Sequence, residues 1–370
     1  MMKTKIIALL VSSLLMSATA GAAEIYNKDG NKLDLYGFVD GLHYFSSDSS
    51  KNGDMSYMRF GFKGQTQIND NLTGFGRWEY QVQGNQTESS TSSNAWTRYA
   101  YAGLRFYGNN SFDYGRNTGI LYDAESYTDM QPEFDGSSYS NDNFVFKRAN
   151  GLATYRTTDF FGLVDGLKFA AQYQGENGGD SRNVLTQNGD GYGSSLSYDT
   201  DIGVSIAGAF FNSNRLDTQN NAAGIMGNGK KAEGYTGAIK YNANNLYLAA
   251  MYTQAYNAIK FGSTSSTAYG YANESESVEL YAGYTFENGL VPFVAYNQTR
   301  GNDLGTDKKG NTYDAQDLVK FVDFGFTYNF NKNMQTYVDY KVNLLNDNTF
   351  TKNAKISTDN IAAVAIKYMW

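Results

Sequence analysis

One histidine and no cysteine set narrow limits on the chemistry this chain can perform. Without cysteine there is no thiol nucleophile, disulfide scaffold, zinc ribbon or iron–sulfur ligand set. His43 stands alone, so a Ser-His-Asp relay or a multi-histidine metal site lacks its parts. Gly189-Asp190-Gly191-Tyr192-Gly193 has the glycine density of a phosphate loop, but it opens no helix and reads as loop glycine. No acidic segment has the ligand spacing of a calcium loop. The sequence therefore points to no catalytic residue, no metal, no cofactor and no enzyme. What remains is fixed charge. Lys and Arg number 30 against 37 Asp and Glu, a net −7. With no basic block, that balance argues against nucleic acid as a partner.

The elements that would position those charges are strands. Between Met55 and Ile68, Met58, Phe60, Phe62, Thr66 and Ile68 share one parity, and Tyr57, Arg59, Gly61, Lys63, Gln65 and Gln67 share the other. Successive strand side chains point to opposite faces, so one face is apolar and the other polar. The same alternation runs through Leu72 to Gln83, Leu167 to Tyr173, Val319 to Phe330 and Met334 to Leu344. His43 lies on the parity of Leu33, Leu35 and Val39, facing outward or toward a subunit contact. Hydrophobic residues make up 41%, low for a soluble core, yet aromatics reach 15%, too many for disorder. The strands run about 9–13 residues, the length a tilted membrane crossing needs. Tyr and Phe gather near strand ends, as interfacial girdles do.

Turn lengths alternate. Short turns fall at Asn69-Asp70-Asn71, Gly108-Asn109-Asn110, Asp159 to Asp165, Thr200-Asp201, Asn242-Ala243-Asn244, Glu287-Asn288-Gly289 and Asn331-Lys332-Asn333. Long Gly-, Ser-, Asn- and Asp-rich segments lie between them, such as Ser46 to Gly53 and Thr299 to Gln316. Seven turns join two strands each, and a first strand near Leu33 to Tyr44 and a last from Asn360 to Trp370 bring the count to sixteen. An even count lets an antiparallel sheet close on itself, which removes the edges that lipid cannot satisfy. The fold class expected is all-β: a 16-stranded antiparallel transmembrane β-barrel, one domain over residues 23–370. Residues 1–22 read as a secretory signal peptide. Lys3 and Lys5 precede an apolar run from Ile6 to Met16, and small residues through Ala22 form the cleavage site. Its removal takes away two lysines and no acid, which moves the net charge from −7 to −9. The last strand places Ala362, Val364, Ile366, Tyr368 and Trp370 on one parity and ends on an aromatic.

The chain resembles the general diffusion porins of enteric Gram-negative bacteria, the OmpF, OmpC and PhoE type. Ala23 to Tyr36, Gly41 to Ser46, Phe62 to Ile68, Phe112 to Asn117, Tyr127 to Phe134, Phe160 to Leu167 and Phe330 to Tyr340 carry the resemblance, and the loop signature YTDMQPEF is its most specific part. The resemblance implies an outer-membrane homotrimer of barrels, in contact with membrane lipid and lipopolysaccharide, that passes small hydrophilic solutes and ions by passive diffusion. It implies that the third loop folds inward and sets acids against arginines on the wall. The matching acids are Asp129 and Glu133. The matching arginines are Arg59, Arg98 and Arg148, with Arg116 a further wall residue. Arg59 lies on the polar parity of its strand, and Arg98 opposes Tyr99 and Tyr101, which also turns it inward. Glu88 in the second loop matches an acid that latches onto a neighbouring subunit.

Departures from the family pattern bear on selectivity. Phe38 stands where a wall lysine is common, and Trp96 replaces a second. Phe38 also adds bulk that would narrow or dry one side of the pore. Asp40 brings an acid to the inward parity, Asp135 adds one after the loop signature, and Ser137 stands where relatives have an acid. Two cations are lost while acids hold or gain, so the channel is expected to prefer cations. Opposed charges across a wet constriction align water and polar solutes and disfavour apolar ones. The alternatives are a substrate-specific porin and a structural or adhesive barrel whose lumen is plugged.

Overall fold

The computed structural model describes residues 23–89, 94–136, 140–179 and 181–370. The expected signal segment and Ser137 lie outside the described residues. Sixteen strands form one closed antiparallel sheet: β1 (Asn31–Ser46), β2 (Tyr57–Asn69), β3 (Leu72–Gln83), β4 (Ala95–Phe106), β5 (Asn110–Thr118), β6 (Arg148–Thr157), β7 (Leu167–Gln174), β8 (Gly191–Asp199), β9 (Val204–Asn214), β10 (Lys231–Ala243), β11 (Leu246–Tyr256), β12 (Glu274–Tyr284), β13 (Leu290–Asn302), β14 (Gln316–Asn331), β15 (Met334–Asn343) and β16 (Ile361–Met369). Each strand pairs with the next in sequence, and β16 returns to β1 with Phe38 opposite Met369 and Ser46 opposite Ile361. Gly37 and Trp370 exchange backbone hydrogen bonds of 3.2 and 3.1 Å at the end of this seam. Below it, a short strand (Ala23–Lys28) turns at Asp29-Gly30 and pairs with the start of β1, taking over the same edge.

The alternation inverts the usual core. Val39, Phe62, Trp78, Leu104, Phe112, Leu196, Ile206, Ile239, Leu280, Val294, Phe324 and Ile366 are exposed on the outer face. Asp40, Glu79, Gln81, Asp113, Gln172, Glu279, Asn297, Asp323 and Asp339 are buried on the inner one. A protein in water would reverse this; a barrel in lipid requires it. The ladder alone satisfies the backbone, so no helix has to cross the bilayer.

Short connections alternate with eight longer ones, and the third of these, residues 119–147, folds into the barrel. It leaves the wall where Gly119 donates to the Lys147 carbonyl at 2.5 Å. A Cβ at position 119 would stand 2.1 Å from the Val145 oxygen, so only glycine permits this approach. A helical turn (Tyr122–Glu125) follows. The loop is then fastened across the lumen. Thr128 Oγ1 donates to Glu279 at 2.8 Å, Tyr247 donates to the Tyr127 carbonyl at 2.7 Å, and the Glu133 backbone N–H reaches Asp339 at 3.1 Å. Ile120, Leu121, Phe144 and Phe146 pack with Leu152 and Phe211 of the wall.

The loops at the same end of the barrel pack on one another. Phe350 touches Phe261 and Tyr313, with ring centroids 5.6 and 5.1 Å apart. Asp307 lies at the centre of their polar contacts. It accepts from the Lys309 and Asn311 backbone at 2.8 and 3.0 Å, from Tyr313 at 3.0 Å and from Asn353 at 3.0 Å. Desolvation works against its charge, but the donors of Asn311, Lys309 and Tyr313 outweigh it and hold the carboxyl at about 2. A depressed carboxyl stabilises the fold above its unfolded value near 4, and that contribution is lost as pH falls through about 2. The protection of amides across residues 303–315, taken relative to intrinsic exchange at each pH, should therefore hold at pH 4 and fall between pH 4 and 2. In Asp307→Ala it should be lost already at pH 7. Equal exchange in the two proteins at neutral pH would show that Asp307 does not hold the loop.

Candidate pore constriction

Arginines gather on the wall because strand register stacks them. Arg59 on β2 lies opposite Gln81 on β3, and its Nε donates to Gln81 Oε1 at 2.6 Å. Between β3 and β4 the register slips: Glu79 faces Tyr99, while Tyr80 faces Thr97. The extra residue is Arg98. This β-bulge breaks the alternation, so Arg98 and Tyr99 both reach the lumen. Arg98 does point inward, as expected, but Tyr99 and Tyr101 are not on the opposite face. Tyr99 lies under the Arg77 and Arg148 guanidinium groups at 4.0 and 5.9 Å, and Tyr101 packs against Phe75.

Glu79 holds the cluster together. Arg98 Nε donates to one of its oxygens and Arg77 NH2 to the other, each at 2.6 Å. Tyr36 donates to Glu79 at 2.9 Å and accepts from Arg77 Nε at 2.6 Å. Arg148 opens β6 beside this group. Arg59 also rests on aromatic faces, 5.2 Å from the Phe38 centroid and 5.0 Å from that of Tyr57. The crowding of guanidinium groups is thus relieved by one buried carboxylate, an amide oxygen and π-faces.

The third loop brings its acids to the other side. Lys147 Nζ lies 2.8 Å from Asp129 and 3.1 Å from Asp135, and Tyr122 donates to Asp129. Glu133 accepts from Tyr44 and, at 3.1 Å, from Tyr337. Burial pushes the Glu133 carboxyl above its ordinary value. Burial also works against the Lys147 charge, but Asp129 and Asp135 more than offset it and raise that group.

Arg59, Arg98, Arg148, Asp129, Glu133, Asp135 and Phe38 line one cavity of about 1080 Å³. Three other sequence-selected residues stand elsewhere. Asp40 is fully buried behind the wall surface, paired with Lys367 at 2.9 Å. Arg116 lies opposite the outward-facing Ala100, and its NH1 donates to Asp142 and Asn150 at 2.6 and 2.5 Å, so it does not join the other arginines. Glu88 is exposed in the second loop, beside residues 90–93 that lie outside the described ones. Trp96 faces Gln81 on the lumen side and is 41% exposed.

Charge counting from sequence also omitted residues that the structure places here. Lys147 and Lys367 line the cavity, as do Arg77 and Glu79. Lys367 was readable: it sits on the parity opposite Val364 and Ile366 in the last strand. Lys147 was not, because no alternation governs a loop. Among the described lining residues, nine lysines and arginines meet four acids, so the cavity carries an excess of positive charge even with Phe38 and Trp96 in place of lysines.

A model of the Gram-negative porin family matches residues 28–370. The chain is 61% identical over 377 residues to outer membrane porin C of Serratia marcescens and 57% identical over 381 residues to outer membrane porin C of Salmonella typhimurium, each covering 100% of both chains. It is also similar to the solved structure of Salmonella typhi OmpF in complex with daunomycin. That comparison has a TM-score of 0.84 at 43% identity and covers 94% of this chain and all of the other.

The arrangement makes Glu79 the shared carboxylate of two wall guanidinium groups. Glu79→Ala leaves Arg77 and Arg98 facing each other without their shared carboxylate. Charge-assisted hydrogen bonds contribute roughly 1.5–3 kcal/mol each, so the variant should unfold at lower temperature by circular dichroism. A variant as heat-stable as the parent would contradict this role.

Proposed function

Because the chain belongs to the Gram-negative porin family, we propose that it works as a general diffusion channel whose charged constriction is the cavity walled by Arg59, Arg98 and Arg148 and faced by the third loop. The family places it in the outer membrane as a passive pore, not an enzyme. The observation that carries the constriction is that a loop bearing Asp129, Glu133 and Asp135 is fastened across the lumen into the same cavity as those arginines. Fixed charges of both signs at the walls orient dipolar solutes and water. An apolar solute must displace that ordered water, so polar ones pass preferentially. Residues 1–22 serve export and are removed.

Selectivity follows from where the charge lies. The cavity lining is richer in cations, whereas the excess acid of the mature chain sits partly on exposed loop carboxylates such as Asp54, Glu176, Asp303, Asp314 and Asp347. These concentrate cations at the outer mouth. Screening shortens their reach from about 10 Å at 0.1 M salt to about 3 Å at 1 M. In planar bilayers the protein should give large ohmic steps. A salt-gradient reversal potential should show cation preference at low ionic strength that fades toward 1 M. Absence of conductance would favour a plugged barrel, and anion preference at low salt would overturn the charge assignment.

The working unit is a homotrimer, so conductance steps should arrive in threes. Glu88, exposed on the second loop, latches onto a neighbouring subunit. Glu88→Ala should lower the temperature at which the trimer dissociates on a native gel while leaving the monomer barrel folded. An unchanged dissociation temperature would remove Glu88 from the contact.

A further inference from the structure

The first and last strands meet across a pair of opposite charges. Asp40 on β1 stands directly opposite Lys367 on β16, and Lys367 Nζ lies 2.9 Å from Asp40 Oδ2. The two are not equally placed. Asp40 is fully buried, with its Oδ1 lacking a hydrogen-bond partner among the described residues, while Lys367 lines the cavity. The pair therefore turns its cation to the lumen and keeps its anion one layer behind. The ammonium lies 4.6 Å from the Phe38 ring centroid, the same ring on which Arg59 rests at 5.2 Å. Phe38 thus lies within cation–π reach of both cations. The positive wall that runs from Arg98 to Arg59 continues past it, across the seam, to Lys367. Tyr337 ties this end to the third loop, its hydroxyl lying 3.1 Å from both Asp40 Oδ2 and Glu133 Oε2.

We propose that Lys367 is a selectivity-determining residue of the channel, supplying from the last strand a wall charge whose sign at the lumen surface depends on its pairing with Asp40. The proposal rests on the channel reading above. Its consequence is a pair of opposed effects. Removal of the ammonium leaves the buried Asp40 carboxylate uncompensated just behind the lumen surface. Removal of the Asp40 charge leaves an uncompensated ammonium. A role confined to fastening the seam or the loop would make both changes act in the same direction.

The test is the reversal potential of the full-length protein in planar bilayers under a potassium chloride gradient at low salt. Conductance of the parent, measured first, decides the channel reading by itself. Lys367→Met should raise the cation-to-anion permeability ratio by about two-fold, the scale expected for one charge acting across several ångströms of water. Asp40→Asn should lower it by a similar factor. The double variant, which has a neutral pair at the same positions, should return close to the parent value. If Lys367→Met fails to assemble, Asp40→Asn and the double variant still decide the matter. Shifts of the same sign in the single variants overturn the proposal. So does a conducting parent whose ratio does not move in Asp40→Asn, or a double variant that stays displaced.

Discussion

Everything in this molecule depends on one constraint: in lipid, no backbone N–H or carbonyl can be left without a partner. An open sheet fails that requirement along two edges, so the sheet must close, and β1 must find β16. Closure fixes which side of every strand faces the lumen. Once that is set, a residue two positions along stays on its face and a residue one position along does not. The polar interior, the apolar exterior and the arrangement of charge around the pore are consequences of that choice rather than separate designs.

The lumen then poses a second problem. Charges of one sign brought together on a narrow wall repel, and the barrel answers by interleaving. Glu79 sits between Arg77 and Arg98, Gln81 accepts from Arg59 and Arg98, and Tyr36, Tyr99 and Phe38 present ring faces to guanidinium groups. On the loop, Lys147 sits between Asp129 and Asp135. Few of these charges are bare. A pore built this way keeps a strong local field while most of its charges retain a partner, which suits a channel that must hydrate its wall and bind nothing tightly.

The fold was largely legible because the pattern that encodes it has a period of two and repeats along sixteen strands. The strand count, the short turns and the inward faces of Arg59 and Asp40 all follow from counting parity. The same counting gave Arg98 its right direction for the wrong reason. A single extra residue on β4, Arg98 itself, opposite the step from Glu79 to Tyr80 shifts the phase, and nothing in the sequence of β4 announces it. Arg116 stands at a similar slip, where Gly115 faces Leu152 but Asn117 faces Ala149. Loops have no parity at all, so the pairing of Lys147 and the partners of Glu133 could be seen only in three dimensions. Lys367 was visible on the lumen parity.

The seam between the first and last strands also has a temporal meaning. Asp40 and Lys367 are separated by nearly the whole chain, as are Gly37 and Trp370, and contacts so distant in sequence form late because the intervening chain must be ordered before they can meet. A nascent barrel lacking β16 would leave Asp40 without its cation and the edge of β1 without its partner. The residues that complete the wall of the pore are therefore the same ones that complete the cylinder. The channel acquires its finished electrostatic character in the step that makes it a closed object.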